Sequence, residues 1–235
     1  MPYYSYYDPT YILVLIGALL TIAASSYVQS TFSRYSRVSL SRQITGAQAA
    51  ERILHSQGIY DVSIERVSGN LTDYYNPSAK VLKLSDSVYG VSSVAAVSVA
   101  AHECGHAIQH AKGYQPLRFR SAIVPVVNIG SRLSWPLILI GLLIGGSASN
   151  LLLTAGLLLF GLVVLFQLVT LPVELNASSR AVSVLADLGI VGGREQSGAK
   201  KVLRAAALTY VASLASSVLQ LLRLLILIGG RRRDD

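Results

Sequence analysis

In the segment Ala101-His102-Glu103-Cys104-Gly105-His106-Ala107, two histidines stand four residues apart and a glutamate follows the first. On an α-helix, positions four apart share a face, one turn from each other. Two imidazoles at that spacing can converge on one zinc ion, and the intervening glutamate can act as general base toward a metal-activated water. Glu103 would take the water's proton as the water attacks a carbonyl, then deliver a proton to the leaving amine. Chance would place HExxH in a chain of this length on the order of once in a few hundred sequences. The small, apolar lead-in Val94-Ala95-Ala96-Val97-Ser98-Val99-Ala100-Ala101 suits a closely packed helix, so the metal reading is preferred to coincidence.

A catalytic zinc site takes three protein ligands and keeps one position open. His110 continues the four-residue spacing, but eight positions on a straight helix separate it from His102 by about 12 Å. Both cannot reach one ion at about 2 Å, so His110 reads as a helix-face residue or a support behind the ligands. His55 falls near a helix end, where it compensates the helix dipole or faces solvent. Cys104 reads as a small packing residue. That leaves carboxylates. Glu174 closes a long uncharged run and precedes an apolar-periodic segment, Ala177 to Leu188, that predicts a helix. It is the preferred third ligand, with Asp73 second. Its ordinary alternative is a helix-start glutamate at headgroup level.

The elements that must position these residues follow from composition. Hydrophobic residues make up 52% of the 235-residue chain and charged ones only 14%, against about 25% charged in soluble domains. Tyr11 to Val28 is uncharged and about the length of a membrane span. Met1 to Thr10 has no Lys or Arg, unlike a signal peptide, whereas Arg34, Arg37 and Arg42 follow the span. That order predicts an uncleaved anchor with the following segment in the cytoplasm. Leu133 to Val173 carries no charge. It predicts two crossings with a turn near Gly145-Gly146-Ser147, the first beginning between Pro125 and Ser134. Ala205 to Leu222 predicts a fourth helix, continued by Leu224 to Ile228. A full crossing there would leave Arg231 to Arg233 outside, against the positive-inside tendency.

The chain thus divides into an anchor over 1–30, a zincin-like region over 31–120, a membrane hairpin over 121–173, a helical segment bearing Glu174 over 174–204, and a C-terminal membrane helix with a basic tail over 205–235. The hairpin returns 174–204 to the face of 31–120. The expected fold is a mainly α integral-membrane protein with about four membrane helices. A small α+β region would lay a short sheet over the HExxH helix. Thr45 with Gln48 predicts a capping box before a helix from Gly46 to Ser56. Asp61 to Val67 and Lys80 to Ser85 predict strands. Ser92 to Lys112 predicts the motif helix, stopped by Gly113. The net charge of +8 reads as membrane topology, since no nucleic-acid module is present. One cysteine allows no internal disulfide.

Val99-Ala100-Ala101-His102-Glu103-Cys104-Gly105-His106-Ala107-Ile108-Gln109-His110 resembles the bacterial membrane-bound neutral zinc metallopeptidases, the YugP-like family. Leu168-Val169-Thr170-Leu171-Pro172-Val173-Glu174-Leu175-Asn176-Ala177-Ser178 carries the same resemblance, as do Leu71 to Pro77 and Ala205 to Val211. More remotely the chain is similar to heat-shock and CAAX-type membrane gluzincin proteases. The resemblance implies one zinc per chain on His102, His106 and Glu174, with Glu103 as base. Two departures stand out. The remoter class has aspartate four residues after its glutamate ligand, where this chain has Ser178. The nearer family reads Asp-His-Tyr-Asp-Pro where this chain has Asp73-Tyr74-Tyr75-Asn76-Pro77. In such folds an extended substrate pairs with an edge strand, and Lys80 to Ser85 is the candidate. Tyr75, Asn76, Arg180 and Tyr210 are candidate substrate or oxyanion contacts, though each also has an ordinary role in packing or as a solvated group.

The expectation is a zinc metalloendopeptidase of a bacterial plasma membrane, cleaving membrane or membrane-proximal polypeptides from the cytoplasmic face. The rival is an inactive membrane scaffold with a structural zinc, which would have no need of Glu103. A channel is disfavoured, because the apolar spans carry few of the polar groups that mark ion paths.

Overall fold

A computed structural model describes residues 8–144 and 147–234. The glycines of the turn placed near Gly145-Gly146-Ser147 lie outside the described residues. In chain order the elements are α1 (Tyr11–Ser36), α2 (Gly46–Ser56), β1 (Ser63–Val67), β2 (Tyr74–Asn76), β3 (Val81–Ser85), α3 (Val94–Ala111), α4 (Gln115–Leu143), α5 (Ser147–Asp187) and α6 (Gly193–Asp234). The protein is mainly helical with one small sheet.

Among the described residues, four helices are long and apolar enough to cross a membrane: Tyr11–Ser36, Gln115–Leu143, Ala148–Asp187 and Gly193–Gly229. At 1.5 Å per residue, the 41 residues of α5 extend about 60 Å, twice the roughly 30 Å hydrocarbon core. Only part of it can lie in lipid. The sequence pattern reads a break near Glu174, but α5 runs through it without interruption. Pro172 is accommodated within the helix. Likewise the span read from Ala205 is the continuation of a helix that starts at Gly193.

The chain forms two compact units. One comprises Met1–Ala23, Ala122–Val169 and Val211–Asp235. Its core joins Ile138, Leu153, Phe160, Leu224 and Ile228. Large apolar side chains such as Ile22, Ile129 and Leu151 remain exposed on its helices, as expected of surfaces that face lipid rather than water. Within it Arg223 bonds Asp8 at 3.2 Å and stacks on the Tyr11 ring at 4.1 Å.

The other unit comprises Ala24–Ser121 and Thr170–Tyr210, and it holds the chemistry. The Thr45/Gln48 capping box is present and starts α2 at Gly46. The sheet has strand order β1-β3-β2, with β1 parallel and β2 antiparallel to β3. Both sides of β3 are therefore filled, so Lys80 to Ser85 is not an edge. The free edge beside α3 belongs to β2, a three-residue strand too short to show alternation in the sequence. Ser93 caps α3 by accepting from the Ala96 amide. Gly113, at φ +61°, ends α3, and the Tyr114 amide bonds the Gln109 carbonyl at 2.9 Å. This closure lets α4 begin at once, at Gln115. Leu82, Leu84, Ile53, Leu54 and the alanines of α3 build the core.

Candidate metal centre

Helix α3 carries His102, Glu103 and His106, and α5 carries Glu174. Small residues let the two helices meet. A Cβ on Gly105 would stand 2.5 Å from the Ala177 carbonyl oxygen, so only glycine fits there. On α5 the residues turned inward, Glu174, Ala177, Ser178, Ala181 and Leu185, are all buried and follow helical spacing. Glu174 is 2% exposed, a placement a carboxylate tolerates only when paired or bound to a metal.

Glu174 Oε2 lies 3.2 Å from His102 Nε2 and 3.4 Å from His106 Nε2. One ligand atom from each residue falls within 4.8 Å of the others. Donors at about 2.0–2.1 Å around a tetrahedral zinc are separated by about 3.3 Å. The donor set and its spacing therefore fit zinc. Of the two candidate third ligands, the structure brings Glu174 to the histidines. Asp73 is engaged elsewhere, accepting from the Ser85 amide at 2.7 Å and the Ser85 hydroxyl at 2.9 Å.

Groups behind the ligands fix their orientation. Buried Gln109 donates both amide hydrogens, to the Val173 carbonyl at 2.8 Å and to Asn176 Oδ1 at 3.0 Å. Its Oε1, 3.1 Å from His106 Nδ1, must then accept. His106 thus carries its proton on Nδ1 and turns the Nε2 lone pair toward the centre. The Ser178 hydroxyl lies 3.1 Å from His102 Nδ1. It occupies the position where the remoter protease class has aspartate. Arg120, from the start of α4, lies 3.2 Å from the second Glu174 oxygen, Oε1.

Burial alone would depress the His106 pKa, but its bond to Glu174 and the charges of Glu103 and Glu174 outweigh burial and raise it. The same acids favour a metal cation at this point. Cys104 lies buried against the Ala50 carbonyl, and burial, reinforced by Glu103, holds its thiol well above the ordinary value.

The remaining candidates are dispersed. Tyr210 interacts with Glu174, Glu103 and Arg120, and with His102 and Glu103 it lines one cavity. The Tyr75 hydroxyl bonds His110 Nδ1 at 2.9 Å. Asn76 Oδ1 accepts from the Ser78 and Ala79 amides. Arg180 Nε donates to Asn176 Oδ1 at 2.7 Å, and its guanidinium stacks on Tyr114. His55 packs against Tyr60. Gln109 and Arg120 were not anticipated as site residues. Gln109 had a signal, three residues beyond His106 on the same helix. Arg120 had none, since nothing local ties α4 to Glu174.

These observations define a helical membrane protein with a His-His-Glu group, able to hold a metal ion, on closely packed helices. The pattern of the family described as "Putative neutral zinc metallopeptidase" matches residues 10–229, and the chain belongs to that family. A relative from Bacillus subtilis (strain 168), named "Putative membrane protease YugP", is 46% identical over 223 residues. That match covers 94% of this chain and 98% of the relative. No solved structure matches the chain.

Proposed function

We propose that the protein is a zinc metalloendopeptidase acting on membrane or membrane-proximal polypeptides. The observation that carries this reading is the convergence of His102, His106 and Glu174 on one point, with Glu103 next to His102 in the sequence. Zinc, when bound there by those three side chains, supplies a Lewis acid that polarises a carbonyl and acidifies water. Glu103, 9% exposed, receives the proton of the attacking water and passes one to the leaving amine. Tyr210 donates to the oxygen that becomes negative as the carbonyl is attacked. It is preferred over Tyr75, Asn76 and Arg180 because it lines one cavity with His102 and Glu103. An extended peptide adds to the free edge of β2, held by main-chain hydrogen bonds.

The test is metal analysis and hydrolysis together. The purified full chain in detergent should hold about one zinc, lost in His106→Ala and Glu174→Ala. It should cleave a denatured protein substrate in a chelator-sensitive way. Glu103→Gln should keep the metal and lose at least about a hundredfold in rate. Equal cleavage by Glu103→Gln would refute the reading. Spectroscopy showing four protein ligands and no open position would favour a structural zinc.

The basic residues Arg34, Arg37 and Arg42 support a cytoplasmic location for the site. Tyr60 is 75% exposed, and the sole native cysteine is buried. A Tyr60→Cys variant should react with an impermeant maleimide in inverted vesicles and not in right-side-out cells. The opposite pattern would place the site outside.

A further inference from the structure

A cavity of about 230 Å³ opens directly beside the proposed base, with His102 and Glu103 in its wall. Small-molecule sites occupy about 300–1,000 Å³, so this one suits a single side chain. Its apolar wall is formed by Val99, Val202, Leu203, Ala206 and Leu71. The polar groups that line it are mostly occupied. Asp73 accepts two bonds from Ser85, and the Thr209 hydroxyl donates to the Ala206 carbonyl at 2.7 Å. An anionic guest would be repelled by Asp73 and Glu103, and most of the remaining lining is apolar.

Leu71 adds an independent sign. It adopts φ +55°, a left-handed conformation that glycine or asparagine adopts without the penalty a leucine incurs. Its side chain is nonetheless a large apolar one, 38% exposed, at the cavity wall. Local backbone preference argues against leucine here, and the only gain visible is apolar surface presented to whatever enters.

We propose that this cavity is the specificity pocket of the peptidase, taking one aliphatic side chain of about leucine size from a residue flanking the scissile bond. The proposal rests on the peptidase reading. It predicts that substrates are chosen by an apolar residue at one fixed position, with β2 pairing supplying the sequence-independent part of binding.

The test digests a mixed peptide library with the zinc-loaded full chain in detergent and maps cleavage sites by mass spectrometry. Wild type should show leucine, isoleucine, valine or methionine enriched at one position next to the cut. Ala206→Leu fills the pocket and should shift that preference toward alanine or serine by about tenfold in kcat/KM, the scale set by a methylene or two in an apolar subsite. Leu71→Asn relieves the backbone and removes the apolar wall. Its Tm should not fall, while KM for leucine-containing peptides rises and kcat changes little. Zinc content equal to wild type in both variants reports an intact centre. Cleavage with no apolar preference, or a preference unmoved by Ala206→Leu, overturns the pocket assignment while leaving the peptidase reading intact. A lipid retained by wild type and lost in Ala206→Leu, with preference unmoved, makes the cavity an acyl-chain site instead. No cleavage by wild type, or equal cleavage by Glu103→Gln, removes both.

Discussion

Arg120 Nη1 stands 3.2 Å from Glu174 Oε1, on the opposite carboxylate oxygen from the one that faces His102 and His106. The two carboxylate oxygens are thus divided: Oε2 faces the two imidazoles, and Oε1 is held from behind. An arginine there restrains the carboxylate from rotating. Arg120→Gln should weaken zinc binding by about 10- to 100-fold, the usual cost of losing such a support. Competition with a calibrated chelator measures this. Arg120→Lys should recover part of the loss, because it restores charge without the planar fork. Unchanged affinity in both variants would show that the pair gives the metal position no support.

Gln109 should behave as a tautomer lock. Gln109→Leu removes the acceptor of the His106 Nδ1 proton and also leaves the Val173 carbonyl without its donor. Zinc affinity should fall about 10- to 100-fold, with little change in helical content by circular dichroism. Gln109→Glu offers His106 a stronger acceptor but forfeits both donated bonds, so its defect should appear in thermal stability more than in affinity.

Gly105→Ala tests the helix approach. The new methyl would sit 2.5 Å from the Ala177 carbonyl oxygen, and α3 and α5 would have to separate. Overpacking of this kind costs about 1–3 kcal/mol, despite the better helix propensity of alanine. The variant should unfold at lower temperature and lose zinc more readily. An unchanged Tm and metal content would show that the two helices slide without consequence.

Asp73 gives a pH signature. Burial holds its carboxyl above the ordinary value of 3.8, although the Ser85 bonds pull the other way. A raised carboxyl pKa means that the folded state favours the neutral form. That contribution is complete below the unfolded value of 3.8 and is lost as pH rises through the folded value. The Tm of wild type relative to Asp73→Asn, followed in detergent from about pH 3 to pH 7, should therefore decline with rising pH. A difference that grows with pH would mean that the Ser85 bonds outweigh burial.

Local signals carried a defined part of the structure. The Thr45/Gln48 box, Gly113, and the spacing of His102 and His106 each act within one or two helical turns, so residue type alone specifies them. The four apolar helices are legible for a similar reason, since bilayer thickness sets a length that any uncharged run either meets or does not. Glu174 was reachable because a third ligand calls for a carboxylate, few are available, and the hairpin returns this one to the face of the motif. Arg120 and the role of Ser178 depend on how separate helices pack, and no local pattern encodes that. The strand order was hidden because β2 has only three residues and lies in a stretch rich in turn formers. Without it β3 looked like an edge. The break read before Glu174 came from treating the end of the apolar run as the end of a helix, when only the surroundings of α5 change there.

The sealed position of Cys104 bears on how the protein would fare under oxidative attack. Peroxides and electrophiles react with the exposed thiolate, not with a buried thiol whose ionisation is suppressed. Cys104 stands between the two histidines of the motif, yet it is inaccessible and bonded only to a backbone carbonyl. Its thiol is turned to the Ala50 carbonyl, and the sequence holds no second cysteine with which it could condense. Cys104 is therefore not the point at which an oxidant would first reach the candidate centre.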